Sequence, residues 1–228
     1  MYLSRLILNP GSRQVQRELA DPYEMHRTVM AAFKDKPKGE IKRILYRLEV
    51  MPGSQLPVLL VQSLIQPDWE HLQPPVKDYL LSADKLPMPG SNPAIKDVHL
   101  SLHTGQQLAF RLKANPTVKK DREGKRQGRR VGIIREEQQL AWLRHKLADM
   151  GCRLVAAAVS CETWARGSLF RHAEKHSMKF LSVQFDGVLE VQDAGLAAAG
   201  VEKGIGSAKG LGFGMLSLAP APGRSGHG

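Results

Sequence analysis

The amino-acid sequence predicts an α+β fold made of two successive β-α-β-β-α-β halves. Three observations lead there. Strand-like alternation and helix-like periodicity come in that order twice along the chain. A proline-rich stretch holding Pro67, Pro74, Pro75, Pro87, Pro89 and Pro93 separates the two runs. The length, 228 residues with 42% hydrophobic and 24% charged, is enough for one or two domains with cores of their own.

Residues 2–9 alternate and are rich in Leu and Ile, so they read as a strand, which Asn9-Pro10-Gly11-Ser12 ends. Asp21-Pro22-Tyr23-Glu24 is a helix start. Asp caps, Pro fits the first helical position, and Glu24 stands where a capping box needs it. That helix is expected to reach about Phe33. Strands follow at 43–51 and 58–64 around Pro52-Gly53-Ser54. The first places Ile44, Tyr46, Leu48 and Val50 on one face and Arg43, Leu45, Arg47 and Glu49 on the other. Within the proline-rich connection one short helix is expected at 76–81.

The second half opens with a strand at 107–114, then a highly charged segment to Arg130. Residues 136–150 read as a helix with Leu140, Leu143 and Leu147 as its apolar stripe, Trp142 beside it and Gly151 at its end. Strands are expected at 152–159 and 181–191, with a basic strand or hairpin at 163–179 between them. A short Ala-rich helix, 193–201, leads into a glycine loop, a last strand at 214–218 and a tail from 219 that reads as disordered. The element order is that of two tandem ferredoxin-like domains. They are placed at residues 1–88 and 97–219, with 220–228 as tail. The first half is the weaker case, because its second helix is barely visible.

Thirty-three Lys and Arg against 22 Asp and Glu leave a net charge of +11. Such an excess favours a polyanionic partner, nucleic acid before membrane surface. No apolar run approaches the ~20 residues of a membrane span, and the first ten residues do not make a signal peptide, so a cytoplasmic protein is expected. Two cysteines, Cys152 and Cys161, form no CxxC pair. His99/His103 and His172/His176 are spaced by four, but neither pair sits in a metal motif, and neither metal nor cofactor is expected.

The charge is concentrated. Between Arg111 and Arg130 stand nine bases (Arg111, Lys113, Lys119, Lys120, Arg122, Lys125, Arg126, Arg129, Arg130) and two acids, a net +7 in twenty residues. Phosphate neutralisation by such a cluster releases counterions. A second basic set, Arg166, Arg171, Lys175 and Lys179, lies on the expected hairpin. The loop Gly204–Gly214 holds five glycines in eleven residues, with Lys209 inside it. It matches neither a Walker loop nor a dinucleotide loop, since it follows a helix and precedes a strand. Tyr23 and His26 are three apart at a helix start that favours an anion, with Arg27 and Lys34 nearby. A histidine, a phenol and cations around a phosphate suit RNA cleavage by proton transfer. From spacing alone the pair reads more readily as an exposed helix surface.

Met1-Tyr2-Leu3-Ser4-Arg5, Tyr23-Glu24-Met25-His26-Arg27, Arg111-Leu112-Lys113-Ala114-Asn115-Pro116 and the closing loop and strand from Gly204 to Pro220 together resemble the CasE family. These are CRISPR-associated endoribonucleases, the repeat-processing subunits of type I-E Cascade. The resemblance implies a chain that cuts precursor CRISPR RNA without metal at the base of the repeat stem-loop. It would leave a 2′,3′-cyclic phosphate or 3′-phosphate and a 5′-hydroxyl, and keep hold of the stem-loop. Its partners would be that RNA and other Cascade subunits, with no membrane and a monomer when alone. Tyr23 and His26 match the family's active-site pair. Some relatives carry a Lys at the position of Ala31; Lys34, or Lys36, is the expected substitute. Arg27, Arg111, Lys113, Asn115, Lys119, Lys120, Arg126, Arg129, Arg130, Arg166, Arg171 and Lys209 are the expected RNA contacts. Gly204, Gly206, Gly210, Gly212 and Gly214 form the family's glycine-rich loop. A non-catalytic RNA-binding subunit on the same fold is the alternative.

Overall fold

The structure is a computed structural model. It describes residues 1–37, 39, 41, 43–73, 77–120, 129–171 and 174–221; the side chains of 120, 129, 165–171 and 174–178 lie outside the description. The chain divides into two units. The first comprises Met1–His99 with Arg166–Lys179 and Ala208–Gly212; the second comprises Leu100–Ala165, Phe180–Ser207 and Phe213–Gly228.

In the first unit, strands β1 (Tyr2–Ile7), β2 (Leu45–Val50), β3 (Pro57–Ser63) and β4 (Ala94–Asp97) form an antiparallel sheet in the order β2-β3-β1-β4. That is the ferredoxin-like order, in which the third strand lies between the first and the second. Two helices precede β2 where one was expected: α1 (Arg13–Ala20) and α2 (Pro22–Ala31). α1 was missed because RQVQRELA buries only Val15 and Glu18, too little for an apolar stripe. α2 starts as expected. Pro22 is its first residue, and the Asp21 carboxylate accepts from the Tyr23 amide at 3.0 Å. The capping box does not close, because the Asp21 amide is already bonded to the Arg17 carbonyl at the end of α1. Glu24 pairs with Arg27 instead, at 3.2 Å.

Both helices cover one face of the sheet. The core there joins Val15, Met25, Val29 and Phe33 to Leu6, Leu8, Tyr46, Leu59 and Val61, with Trp69 and Tyr79. Trp69 donates its indole N–H to Ser4 Oγ at 3.0 Å. The second helix of this half is replaced by single 3-10 turns, Glu70–Leu72 and Ala83–Lys85. The short helix expected at 76–81 does not form over its described residues. The Leu81 amide donates to the Ile7 carbonyl and the Asn9 amide to the Tyr79 carbonyl, both at 2.9 Å, so this stretch extends along β1. Backbone groups at the end of β1 need those partners, and the extended path also puts Tyr79, Leu80 and Leu81 into the core. The Asn92 side chain does the same for Ile7, accepting from its amide at 2.9 Å and donating to its carbonyl at 2.8 Å.

In the second unit, β5 (Gln107–Ala114), β8 (Cys152–Arg171), β9 (Glu174–Val191) and β10 (Leu216–Pro220) form a sheet in the order β10-β5-β9-β8, the same ferredoxin-like arrangement. The chain is therefore two tandem ferredoxin-like domains by topology, as the sequence predicts. A small hairpin of β6 (Thr117–Lys120) and β7 (Arg129–Gly132) stands beside this sheet. The helices are α3 (Glu136–Ala148) and α4 (Ala194–Lys203). Leu143 and Leu147 of α3 are fully buried, and Trp142 stacks on Phe185 with centroids 6.3 Å apart. Gly151 takes φ +69 just past α3. The strands expected at 152–159 and 181–191, and the hairpin between them, are one long hairpin. The tail begins later than expected: Ala219 and Pro220 pair with Ala109 and Leu108 inside β10. Residues 222–228 lie outside the description.

Candidate active site

Cap and proline fix the entry of α2, and its period then aims His26 and Met30 into one cleft and Arg27, Thr28 and Ala31 into another. The His26 cleft, about 430 Å³, is lined by His26, Met30, Arg43, Ile44, Lys209 and Gly210. The imidazole of His26 lies against Tyr46, with ring centroids 6.5 Å apart and planes 22° from parallel. The Tyr46 hydroxyl is 2.9 Å from the Gly210 carbonyl and 3.1 Å from the Pro22 carbonyl. Its one proton therefore ties the glycine loop to the start of the His26 helix. Burial, reinforced by the Glu18 carboxylate, raises the Tyr46 phenol pKa, so Tyr46 stays a donor.

The glycines make this approach possible. A Cβ on Gly210 would touch the His26 ring at 3.4 Å, and one on Gly212 would lie 3.2 Å from Tyr46 Cε2. Gly212 also has φ +85, where L-residues are disfavoured. Between Ala208 and Gly212, both left-handed, Lys209–Leu211 makes a 3-10 turn. At the other end of the loop, Gly206 has φ +80 beside the Trp142 ring, and Gly214 donates its amide to the Lys113 carbonyl at 2.7 Å. Gly204 ends α4 at φ +71.

Burial lowers the pKa of His26, because the low-dielectric surroundings disfavour the imidazolium. The neutral ring is the form that accepts a proton. Tyr23, one turn earlier on α2, does not line the His26 cleft. Lys34 does not line it either: its side chain is 66% exposed, with Nζ 3.9 Å from the Asp35 carboxylate. Among the described residues, the cations that reach the cleft are Arg43 and Lys209. Sequence reasoning placed Arg43 and Ile44 on opposite strand faces. β2 begins only at Leu45, so both can face the cleft from irregular chain. No local signal pairs Tyr46 with a helix twenty residues away. Its alternation marks it only as core.

Ala31 and Arg27 line the second cleft, about 410 Å³, with Arg17, Glu18, Glu24, His71 and Lys77 among its other residues. The Glu18 carboxylate there accepts from Thr28 at 2.6 Å, Gln14 at 2.8 Å and Tyr79 at 2.5 Å. Burial pushes the Tyr79 phenol pKa up and the His71 pKa down.

Among the expected RNA contacts of the second unit, Lys119 and Arg130 are exposed and stand directly opposite each other across β6 and β7. Like charges so placed repel and gain from a shared anion. Lys120 and Arg129 form the next pair of that ladder. Arg111 is engaged with Asp186 at 2.5 Å. Lys113 is half-buried. Asn115 is 7% exposed and contacts Ser207 of the glycine loop at 3.4 Å, so it braces the loop and presents no open polar surface. Arg126, and the side chains of Lys120, Arg129, Arg166 and Arg171, lie outside the description. Among the described residues no three His, Cys, Asp or Glu cluster as metal ligands, and no helix is long and apolar enough to cross a membrane.

Comparison with known proteins bears on what this site does. The family model described as CRISPR associated protein matches residues 1–220. The chain is 37% identical over 229 residues to the CRISPR-associated endoribonuclease Cse3 of Thermus thermophilus, covering 96% of this chain and all of that protein. It is 30% identical over 227 residues to the CRISPR system Cascade subunit CasE of Escherichia coli, again covering 96% of this chain and all of that protein. A solved structure of CRISPR endoribonuclease Cse3 bound to a 19-nucleotide RNA superposes with a TM-score of 0.81 at 35% identity, over 96% of this chain and all of that one. With a family model spanning nearly the whole chain and relatives matched end to end, the chain belongs to the CRISPR-associated protein family.

Proposed function

We propose that this protein is an endoribonuclease that cuts precursor CRISPR RNA at the base of the repeat stem-loop, without a metal ion, and then holds the guide RNA. One observation carries the reading. His26 is half-buried, biased toward its neutral form and set in a cleft with two cations, in a chain matched end to end by a relative named as an endoribonuclease. Neutral His26 takes the proton of the 2′-hydroxyl. The 2′-oxygen forms a bond to phosphorus, the bond from phosphorus to the 5′-oxygen breaks, that oxygen takes a proton from solvent water, and the imidazolium of His26 then returns its proton to solvent. The products are a 2′,3′-cyclic phosphate and a 5′-hydroxyl. Tyr23, one turn before His26 on α2 and outside its cleft, serves as a hydrogen-bond donor to the bound RNA. The basic β6–β7 hairpin and the long β8–β9 hairpin suit a duplex read by shape and backbone. Membership of a Cascade-type assembly is part of the same proposal, and rests on the relative named as a Cascade subunit.

The test uses an end-labelled repeat stem-loop RNA in EDTA, with wild type and His26→Ala. Wild type is expected to cut at one site. The variant is expected to bind equally and to cut at least ~10²–10⁴-fold more slowly. Tight binding with no cutting by either protein would overturn this reading and leave an RNA-holding subunit.

A further inference from the structure

Proton transfer by His26 leaves one requirement unmet. As the 2′-oxygen bonds to phosphorus, negative charge builds on the non-bridging oxygens, and in a partly desolvated cleft it needs a cation in contact. Ala31 has no charge and lines the other cleft, while Lys34 and Lys36 are exposed and line neither. Among the described residues, the cations that line the cleft are Arg43, from the segment entering β2, and Lys209, from the 3-10 turn of the glycine loop.

We propose that Arg43 is the catalytic residue that neutralises the phosphorane, with Lys209 contributing from the glycine loop. This rests on the cleavage reading above. Arg43 makes and breaks no covalent bond. Its guanidinium fork matches two oxygens of one phosphate, whereas an ammonium offers a point charge. The chain that follows it is anchored: Ile44 packs against the core of the first unit, and Leu45 is fully buried as the first residue of β2. Tyr46, three residues on, stacks on His26 and bonds to Gly210 beside Lys209. One stretch, Arg43–Tyr46, therefore supplies the cation, part of the cleft wall, and the link between the general base and the glycine loop. A rigid support of this kind is what a charge-stabilising group requires.

The experiment measures single-turnover cleavage at saturating repeat RNA for wild type, Arg43→Ala and Arg43→Lys, together with affinity. RNAs carrying each phosphorothioate isomer at the scissile linkage are cut in parallel. Arg43→Ala is expected to cut ~10²–10³-fold more slowly with affinity changed only a few-fold. Arg43→Lys should regain part of the rate. Wild type should prefer one phosphorothioate isomer, and Arg43→Ala should lose that preference. Cutting by Arg43→Ala at the wild-type rate would overturn the proposal. So would a loss confined to affinity, which would make Arg43 an RNA anchor. Absence of cutting by wild type would instead overturn the cleavage reading itself.

Discussion

The environment of His26 is set by two neighbours and by burial. Tyr46 stacks beside it, Gly210 lets the loop approach it, and burial lowers its pKa. The consequence can be measured by following the His26 ring proton through a pH titration by NMR, assigned with His26→Gln. The midpoint in the free protein is expected below 6.5, the ordinary imidazole value. Because the folded pKa is below the unfolded one, the unfolded chain binds the proton more readily. His26 therefore contributes stability above the unfolded value, and that contribution is lost as pH falls below it. A midpoint at or above the ordinary value would show that solvent or a carboxylate reaches the ring. With His26 as the base proposed above, the acid limb of kcat/KM for cleavage is expected below the usual imidazole range, since that limb reports the free enzyme.

Strands and helices here are held at a few intolerant points. Gly187 of β9 is one. A Cβ there would collide with the Ala156 carbonyl oxygen and lie 2.8 Å from Ala157 Cα, both backbone atoms of β8 that cannot swing aside. Gly187→Ala is expected to cost at least ~1–3 kcal/mol, the range for overpacking, and to lower the thermal midpoint. Asp193→Ala gives the comparison. Its carboxylate accepts from the Leu196 amide at 2.9 Å as the cap of α4, and its loss should cost about 1 kcal/mol. A melting curve for Gly187→Ala no lower than that of Asp193→Ala would mean that β8 and β9 lie farther apart than described. These elements were unevenly legible. β5 was read to the residue, because Gln107–Ala114 alternates exposed and buried along nearly its whole length. α1 and the extended 77–81 stretch were not, because their role is to complete the edge and face of a sheet, which local periodicity does not encode.

The molecule as a whole carries a net charge of +11. The exposed Lys119 and Arg130, paired across β6 and β7, show that part of it is arranged as facing like charges. RNA binding should therefore be governed by counterion release. Filter-binding affinities measured from 50 to 200 mM salt are expected to fall by about 10³–10⁵, the range for six to ten phosphate contacts. Lys119→Ala with Arg130→Ala should flatten the slope by about two contacts while cleavage of bound RNA stays unchanged. A slope that does not change would remove this hairpin from the RNA-binding surface.

Charge, the plan of two ferredoxin-like halves and the helix bearing Tyr23 and His26 were determined by the sequence alone. Each depends on composition or short-range pattern: bases counted along the chain, hydrophobic period, and the Asp21-Pro22 start. Combined with the quoted motifs, they were enough to point to the family. The tertiary structure decided which cations share the cleft with His26. Lys34 is eight residues away along the chain yet remains in solvent, while Arg43 and Lys209 arrive from a strand entrance and a distant loop. It also decided that Tyr46 links that loop to the His26 helix, and that Asn115 braces the loop from beneath. Long-range contacts of this kind depend on how the layers pack and on glycines that permit close approach, and a local window of sequence carries no term for either.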